Sequence, residues 1–87
     1  MIVPYVREWV AKAEEDFLTA EAVHRRRSRP LPNSVCFHCH QCVEKYLKAA
    51  LTSQKKSVPK THDLIMLLEL LTPLDGEYEF IRDLLAP

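Results

Sequence analysis

The chain contains a single glycine, Gly76, among its 87 residues, and few runs of β-branched residues. Tight hairpins depend on turn glycines or Asn-Gly pairs, so this composition disfavours a β-sheet. No apolar run approaches the ~20 residues that a membrane-spanning helix needs. Arg7 and Glu8 interrupt the first ten residues, which therefore lack the apolar region of a signal peptide. These absences predict a single helical domain over residues 1–87 that resides in the cytoplasm.

Only three cysteines are present, Cys36, Cys39 and Cys42, and they do not form ordinary disulfides at this spacing on a helix. This favours a reducing, intracellular setting. With His38 and His40 they make a cluster of metal-capable side chains, but the Cys36–His40 and His38–Cys42 pairs would point roughly 160° apart. No second Cys/His pair exists to complete a zinc site. We therefore predict no metal and no cofactor, and interpret the cysteines as small apolar packing residues.

The net charge of zero conceals a segregation of sign along the chain. Residues 1–24 carry a net charge of −3, residues 25–60 carry +8 and residues 61–87 carry −5. A basic middle segment creates a directional field that suits phosphates or an acidic partner. The alternative is that the acidic segments pack beside the basic one and neutralise it, since a fold brings distant segments together.

The spacing of apolar residues predicts four helices, and hence an all-α, antiparallel up-and-down bundle. The first is predicted over about residues 4–24, with Pro4 at its first position. Its apolar face consists of Val6, Trp9, Val10, Ala13, Phe17 and Ala20. The arginine-rich segment 25–32 ends this helix. A second helix is predicted over about residues 33–53, with Asn33 or Ser34 as its N-cap.

The third predicted helix is apolar on almost every side. Thr61 is expected to cap it, with Asp63 in its first turn, and from Leu64 to Leu71 only Glu69 is polar. Such a helix requires burial all round, which four short helices can hardly provide. A fourth helix is predicted within residues 72–87. The shortage of cover predicts a homodimer or a missing element, and we prefer the homodimer.

The second helix carries two contrasting stripes. Phe37, Gln41, Glu44 and Lys48 share one stripe, which we interpret as a ladder of hydrogen-bonding groups. The opposite stripe is interpreted as an apolar seam formed by Cys36, Cys39, Val43, Tyr46, Leu47 and Ala50.

The polar stripe gives the best candidate site. Gln41, Glu44 and Lys48 could converge with His62 and Asp63, at the start of the next helix, into a pocket for a nucleotide or an RNA phosphate. Positive charge for that ligand would come from five basic side chains: Lys45, Lys48, Arg25, Arg26 and Arg27. The alternative is structural, because Glu44–Lys48 is an ordinary i, i+4 pair and Thr61 with Asp63 could do nothing beyond capping.

Three motifs make the chain resemble a known family. They are AEEDF at residues 13–17, preceded by Trp9, FHCHQCVEKYLKA at residues 37–49 and KTHDL at residues 60–64. This order is similar to the A-E-x-D-L, F-x-x-Q-Q-x-x-E-K-x-L-K-A and T-H-D-L pattern of the HEPN (higher eukaryote and prokaryote nucleotide-binding) family. His40 stands where the family usually has glutamine, and Cys39 and Cys42 stand where it usually has alanine.

The resemblance implies a helical bundle that dimerises and that is often paired with a minimal nucleotidyltransferase in a toxin–antitoxin-like couple. It also implies binding or cleavage of RNA, for which many members use an Arg-x(4–6)-His motif. That motif is absent here. Family members usually continue past the point that corresponds to Pro87 into a further helix, so the resemblance implies either a short form or a fragment. We therefore expect binding of nucleotide or RNA phosphate. The alternatives are a metal-independent ribonuclease toxin, with His62 as its acid/base, and a non-catalytic helical interaction module.

Overall fold

The computed structural model describes residues 3–71, which contain three α-helices and no strand. They are α1 (Val3–His24), α2 (Pro32–Ser53) and α3 (Leu64–Leu71). The all-helical prediction is therefore confirmed, and the first three predicted helices are present. The predicted fourth helix lies outside the described residues. No helix among residues 3–71 is long and apolar enough to cross a bilayer.

Helix α1 packs against α2 through small side chains. Ala13 and Ala20 are buried, and their lack of bulk lets the two helix backbones approach closely. Phe17, predicted to belong to the same apolar face, is instead 54% exposed. The prediction was wrong for this residue because the face that contacts α2 is centred on the two alanines, and Phe17 lies at its edge.

The start of α2 differs from the prediction. The helix begins at Pro32, and Leu31 occupies the N-cap position without a side-chain hydrogen bond to the first turn. Asn33 and Ser34 lie inside the helix and are not its N-cap. Proline is favoured at the first position, because its fixed φ suits a helix and the missing N–H would have no partner there.

The segment between α2 and α3 runs back along α2. After α2, Lys55 adopts a left-handed φ of 61°, and the backbone N–H of Lys56 donates to the carbonyl of Leu51 at 3.0 Å. The chain then returns until His62 lies beside Glu44. Since the Lys56 ammonium donates to the carbonyl of Leu70, α3 extends from the middle of α2 toward its C-terminal end. The predicted alternation of helix direction therefore holds between α1 and α2 but not between α2 and α3.

Helix α3 begins at a cap built by two side chains. The Asp63 Oδ1 atom accepts hydrogen bonds from the N–H groups of Ile65, at 3.0 Å, and Met66, at 3.2 Å. Thr61 Oγ1 accepts from the N–H of Asp63 at 3.1 Å. Asp63 is therefore the N-cap, and Thr61, which was predicted to fill that role, orders the residue before the helix instead.

The core lies where α3 covers α2. It consists of Leu47 and Leu51 of α2 with three leucines of α3, and four partly buried residues pack around it: Val43, Ala50, Val58 and Leu64. The α3 leucines Leu67, Leu68 and Leu71 are completely buried. Among the apolar residues of this helix, Met66 and Leu70 are exposed, while Leu47 and Leu51 of α2 cover part of its buried face.

Candidate functional site

Glu44 is the centre of a buried polar network. Its side chain is only 3% exposed, which is rare for a glutamate unless it is paired. One carboxylate oxygen accepts a hydrogen bond from Lys48 Nζ at 3.0 Å, and the other accepts from His62 Nδ1 at 2.8 Å. His40 Nε2 lies 4.0 Å from that second oxygen. We call these four residues the Glu44 network.

Lys48 is buried together with Glu44. The Lys48 ammonium lies 5.4 Å from the centroid of the Trp9 ring, which adds a cation–π contact from α1. The segment that runs back along α2 before α3 covers this side of α2, so Glu44 and Lys48 of the polar stripe face the interior. The charge of Lys48 is therefore matched within the molecule.

His62 is the exposed member of the Glu44 network. Its side chain is 79% exposed, yet both its ring and its backbone are held. The ring donates from Nδ1 to Glu44, and the backbone carbonyl accepts from His40 Nε2 at 3.0 Å. A neutral imidazole that donates from Nδ1 has its acceptor lone pair on Nε2. The network thus presents a basic nitrogen at the surface in a fixed orientation.

The network keeps Glu44 ionised. Burial would raise the pKa of this carboxyl, but the hydrogen bonds from His62 and Lys48, with their positive charges, outweigh burial and lower the pKa below its ordinary value of 4.5. The carboxylate is therefore charged at neutral pH.

Asp16 is the centre of a second network, which joins α1 to α2 and which we call the Asp16 network. His38 Nδ1 donates to one carboxylate oxygen at 3.2 Å, and Lys45 Nζ donates to the other. Burial would raise the pKa of Asp16, but the hydrogen bonds from Lys45 and His38 lower it below 3.8. Lys45, predicted to bind phosphate, thus has an internal partner. The sequence analysis missed Asp16 and His38 as a pair, although Asp16 lies between Ala13 and Ala20 on the face that contacts α2.

A cleft opens beside the Glu44 network at the start of α3. Its volume is ≈ 680 Å³, which falls within the range of about 300–1,000 Å³ that small-molecule sites occupy. The lining residues come from the first half of α2 and from the segment before α3: Asn33, Cys36, Phe37, His40, Gln41 and His62. The predicted residues Gln41 and His62 are therefore brought together in one cavity.

The other predicted site residues are divided between three places. Asp63 is engaged as the cap of α3. Arg25 forms an exposed ion pair with Glu21 at 3.5 Å. Arg26 and Arg27 are exposed, and they make no ion pair with any of residues 3–71. Their loop leads directly into the first turn of α2, which carries Asn33 of the cleft.

The cysteines divide differently from the prediction. Cys42 is buried, and burial together with the nearby Asp16 charge raises the pKa of its thiol. Cys36 and Cys39 are exposed, so they are not the packing residues that the sequence suggested, because α1 covers the Cys42 side of α2 and leaves theirs open. Among residues 3–71 no three histidine, cysteine, aspartate or glutamate side chains are grouped to hold a metal ion.

Comparison with known proteins identifies one family. The family model described as HEPN domain matches residues 6–86, a range that contains both networks and the whole cleft. Searches of curated proteins and of solved structures gave no match. The resemblance inferred from the three motifs is thus confirmed.

Proposed function

Because the chain belongs to the HEPN family, whose domains have nucleotide- and RNA-related roles, we propose that it binds RNA or a nucleotide at the cleft beside His62. The arginines of residues 25–29, which we call the arginine loop, contact the phosphates. Lys45 and Lys48, the other predicted phosphate ligands, are left out of this proposal because Asp16 and Glu44 engage them.

One observation carries the proposal, namely the contact between buried Glu44 and exposed His62. An unrestrained surface histidine loses side-chain entropy when it binds a ligand. The 2.8 Å hydrogen bond to Glu44 has already fixed this ring at the edge of the cleft. A preorganised donor or acceptor of this kind lowers the cost of binding.

Titration of labelled RNA and of ATP at several salt concentrations tests the proposal. Affinity for RNA should fall as salt rises. A plot of the logarithm of the binding constant against the logarithm of the salt concentration should have a slope of about −0.7 for each phosphate contact on a single strand. Replacing Arg26 and Arg27 by alanine should weaken binding and flatten that slope. The matched control replaces Lys55 and Lys60, two exposed lysines of another loop, and should change binding less. Absence of binding, or binding that ignores salt, would contradict the proposal.

A ribonuclease is the second candidate, favoured by the same Glu44–His62 contact. His62 Nε2 would accept the proton of a ribose 2′-hydroxyl as its oxygen attacks the adjacent phosphorus. The P–O5′ bond breaks, the 5′-oxygen takes a proton from water, and the products are a 2′,3′-cyclic phosphate and a 5′-hydroxyl. RNA incubated with the purified protein should then be cleaved, and His62→Ala should abolish cleavage. Equal cleavage by the variant would refute this assignment of the base.

We also propose, from the family resemblance, a homodimer and a minimal nucleotidyltransferase partner in a toxin–antitoxin-like pair. An association surface is supported by exposed apolar side chains of α1, namely Val3, Tyr5 and Leu18. If the third candidate, a non-catalytic interaction module, is correct, the partner will bind while RNA does not. Light scattering of the purified protein and co-expression with a neighbouring nucleotidyltransferase reading frame test these associations.

A further inference from the structure

Phe37 is an exposed aromatic residue in a wall of the cleft. Phe37 is 58% exposed and lines the cleft. It lies away from the buried leucines of α2, Leu47 and Leu51. A single exposed apolar side chain is ordinary on a protein surface. The surroundings of this one point to a ligand.

The Phe37 ring is backed by a fixed partner. It packs edge-to-face against His38, with 5.2 Å between the ring centroids and an interplanar angle of 78°. His38 is itself held by the Asp16 network through its 3.2 Å hydrogen bond to the carboxylate. The aromatic surface is therefore supported from α1, and a flat ligand that stacks on it has less side-chain motion to arrest.

The rest of the cleft offers hydrogen bonds of both kinds. The carboxamides of Asn33 and Gln41 can each donate and accept, which is the pairing capacity that the edge of a nucleobase requires. The imidazole of His62 lies at the same cavity, oriented by Glu44. A volume of ≈ 680 Å³ falls in the range of small-molecule sites.

We propose that the cleft binds an unpaired nucleobase, stacked on Phe37 and hydrogen-bonded by Asn33 or Gln41, in a single strand whose phosphates follow the arginine loop. This rests on the proposed RNA-binding function and names its substrate class. A base inside a duplex has both faces covered, whereas an unpaired base can turn out and stack on an aromatic side chain. Single-stranded RNA is therefore the ligand, in preference to duplex RNA.

The test compares a labelled single-stranded RNA with its duplex form, using wild type and four variants. Phe37→Ala should weaken single-strand binding about tenfold and leave the salt slope unchanged, since no charge is removed. Phe37→Trp should restore binding. Phe17→Ala is the matched control, because this phenylalanine is equally exposed but lies outside the cleft, and it should bind as wild type does. Gln41→Ala should weaken binding less than Phe37→Ala.

The outcomes separate this inference from the proposed function. If wild type binds RNA with a salt dependence but Phe37→Ala matches Phe17→Ala, the stacking site is refuted and RNA binding stands. Equal affinity for duplex and single strand also refutes the stacking site. If wild type binds neither RNA nor ATP, the proposed function fails and the subsite fails with it. Circular dichroism of each variant confirms that its helices are intact.

Discussion

Asp16 and Glu44 each accept hydrogen bonds from one lysine and one histidine, but the two networks have different roles. The Asp16 network joins α1 to α2, and its histidine supports Phe37 from behind. The Glu44 network joins α2 to the segment before α3, and its histidine projects into solvent at the cleft. A carboxylate, a lysine and a histidine thus link two helices in the Asp16 network, whereas in the Glu44 network they orient an exposed imidazole.

The two networks also differ in how deeply their charged side chains are buried. Glu44 and Lys48 are buried at 3% and 9% side-chain exposure, whereas the lysine and histidine of the Asp16 network remain partly accessible. A buried charge that loses its partner cannot be solvated, but a partly exposed one can turn to water. We therefore expect the Glu44 network to matter more for stability.

Removal of the Glu44 carboxylate should have the largest effect. Glu44→Ala leaves the Lys48 ammonium buried and unpaired, a situation that typically costs about 3–5 kcal/mol. Small domains have unfolding free energies of only about 5–15 kcal/mol, so the variant should lose a large fraction of its unfolding free energy. Urea unfolding followed by circular dichroism measures the effect. Glu14→Ala, at an exposed position of α1, is the control, and equal stability of the two variants would contradict the proposed importance of Glu44.

Loss of the Asp16 carboxylate should have a smaller effect. In Asp16→Asn the Lys45 ammonium can reach water, so we expect a loss of about 1.5–3 kcal/mol, as for one hydrogen bond to a charged group. The same urea experiment gives the comparison. A loss as large as that of Glu44→Ala would show that burial does not distinguish the two networks.

The helices could be predicted from the sequence, but the inward face of α2 could not. Spacing of 3.6 residues located α1, and the apolar run that follows the KTHDL helix start located α3. The stripe containing Glu44 and Lys48 was interpreted as a ladder of hydrogen-bonding groups, but its burial was not predicted, because a charged stripe on an isolated helix is normally exposed. The returning segment before α3 covers it, and a pairing between distant parts of the chain leaves no signal in the periodicity of one helix. The Asp16–His38 contact escaped prediction for the same reason.

Acid should weaken both networks over a defined pH range. The pKa of each carboxyl is lowered by folding, so its contribution to stability is complete above the unfolded-state values of 4.5 for Glu44 and 3.8 for Asp16. It is lost as the pH falls through the lower folded-state values. Each carboxyl binds one extra proton on unfolding, which gives a slope of up to about 1.4 kcal/mol per pH unit.

Unfolding free energies measured between pH 7 and pH 3 test this expectation. The decline in acid should be shallower in Asp16→Asn, which retains only one of the two carboxylates. Parallel pH profiles of wild type and Asp16→Asn would show that this carboxylate does not contribute to acid unfolding.

The two histidines should separate stability from binding. His62→Ala removes a side chain that is 79% exposed and leaves Glu44 paired with Lys48, so its effect on unfolding should be the smallest, about 0.5–1.5 kcal/mol for the loss of one hydrogen bond. RNA affinity should nevertheless fall, because the oriented imidazole at the cleft is lost. His38→Ala removes a group that is part of the tie between α1 and α2, and it should lower stability more than His62→Ala does. Urea unfolding and RNA titration of both variants give the comparison. If His62→Ala retains full RNA affinity, His62 does not contribute to binding. Both networks would then serve only to hold the helices together.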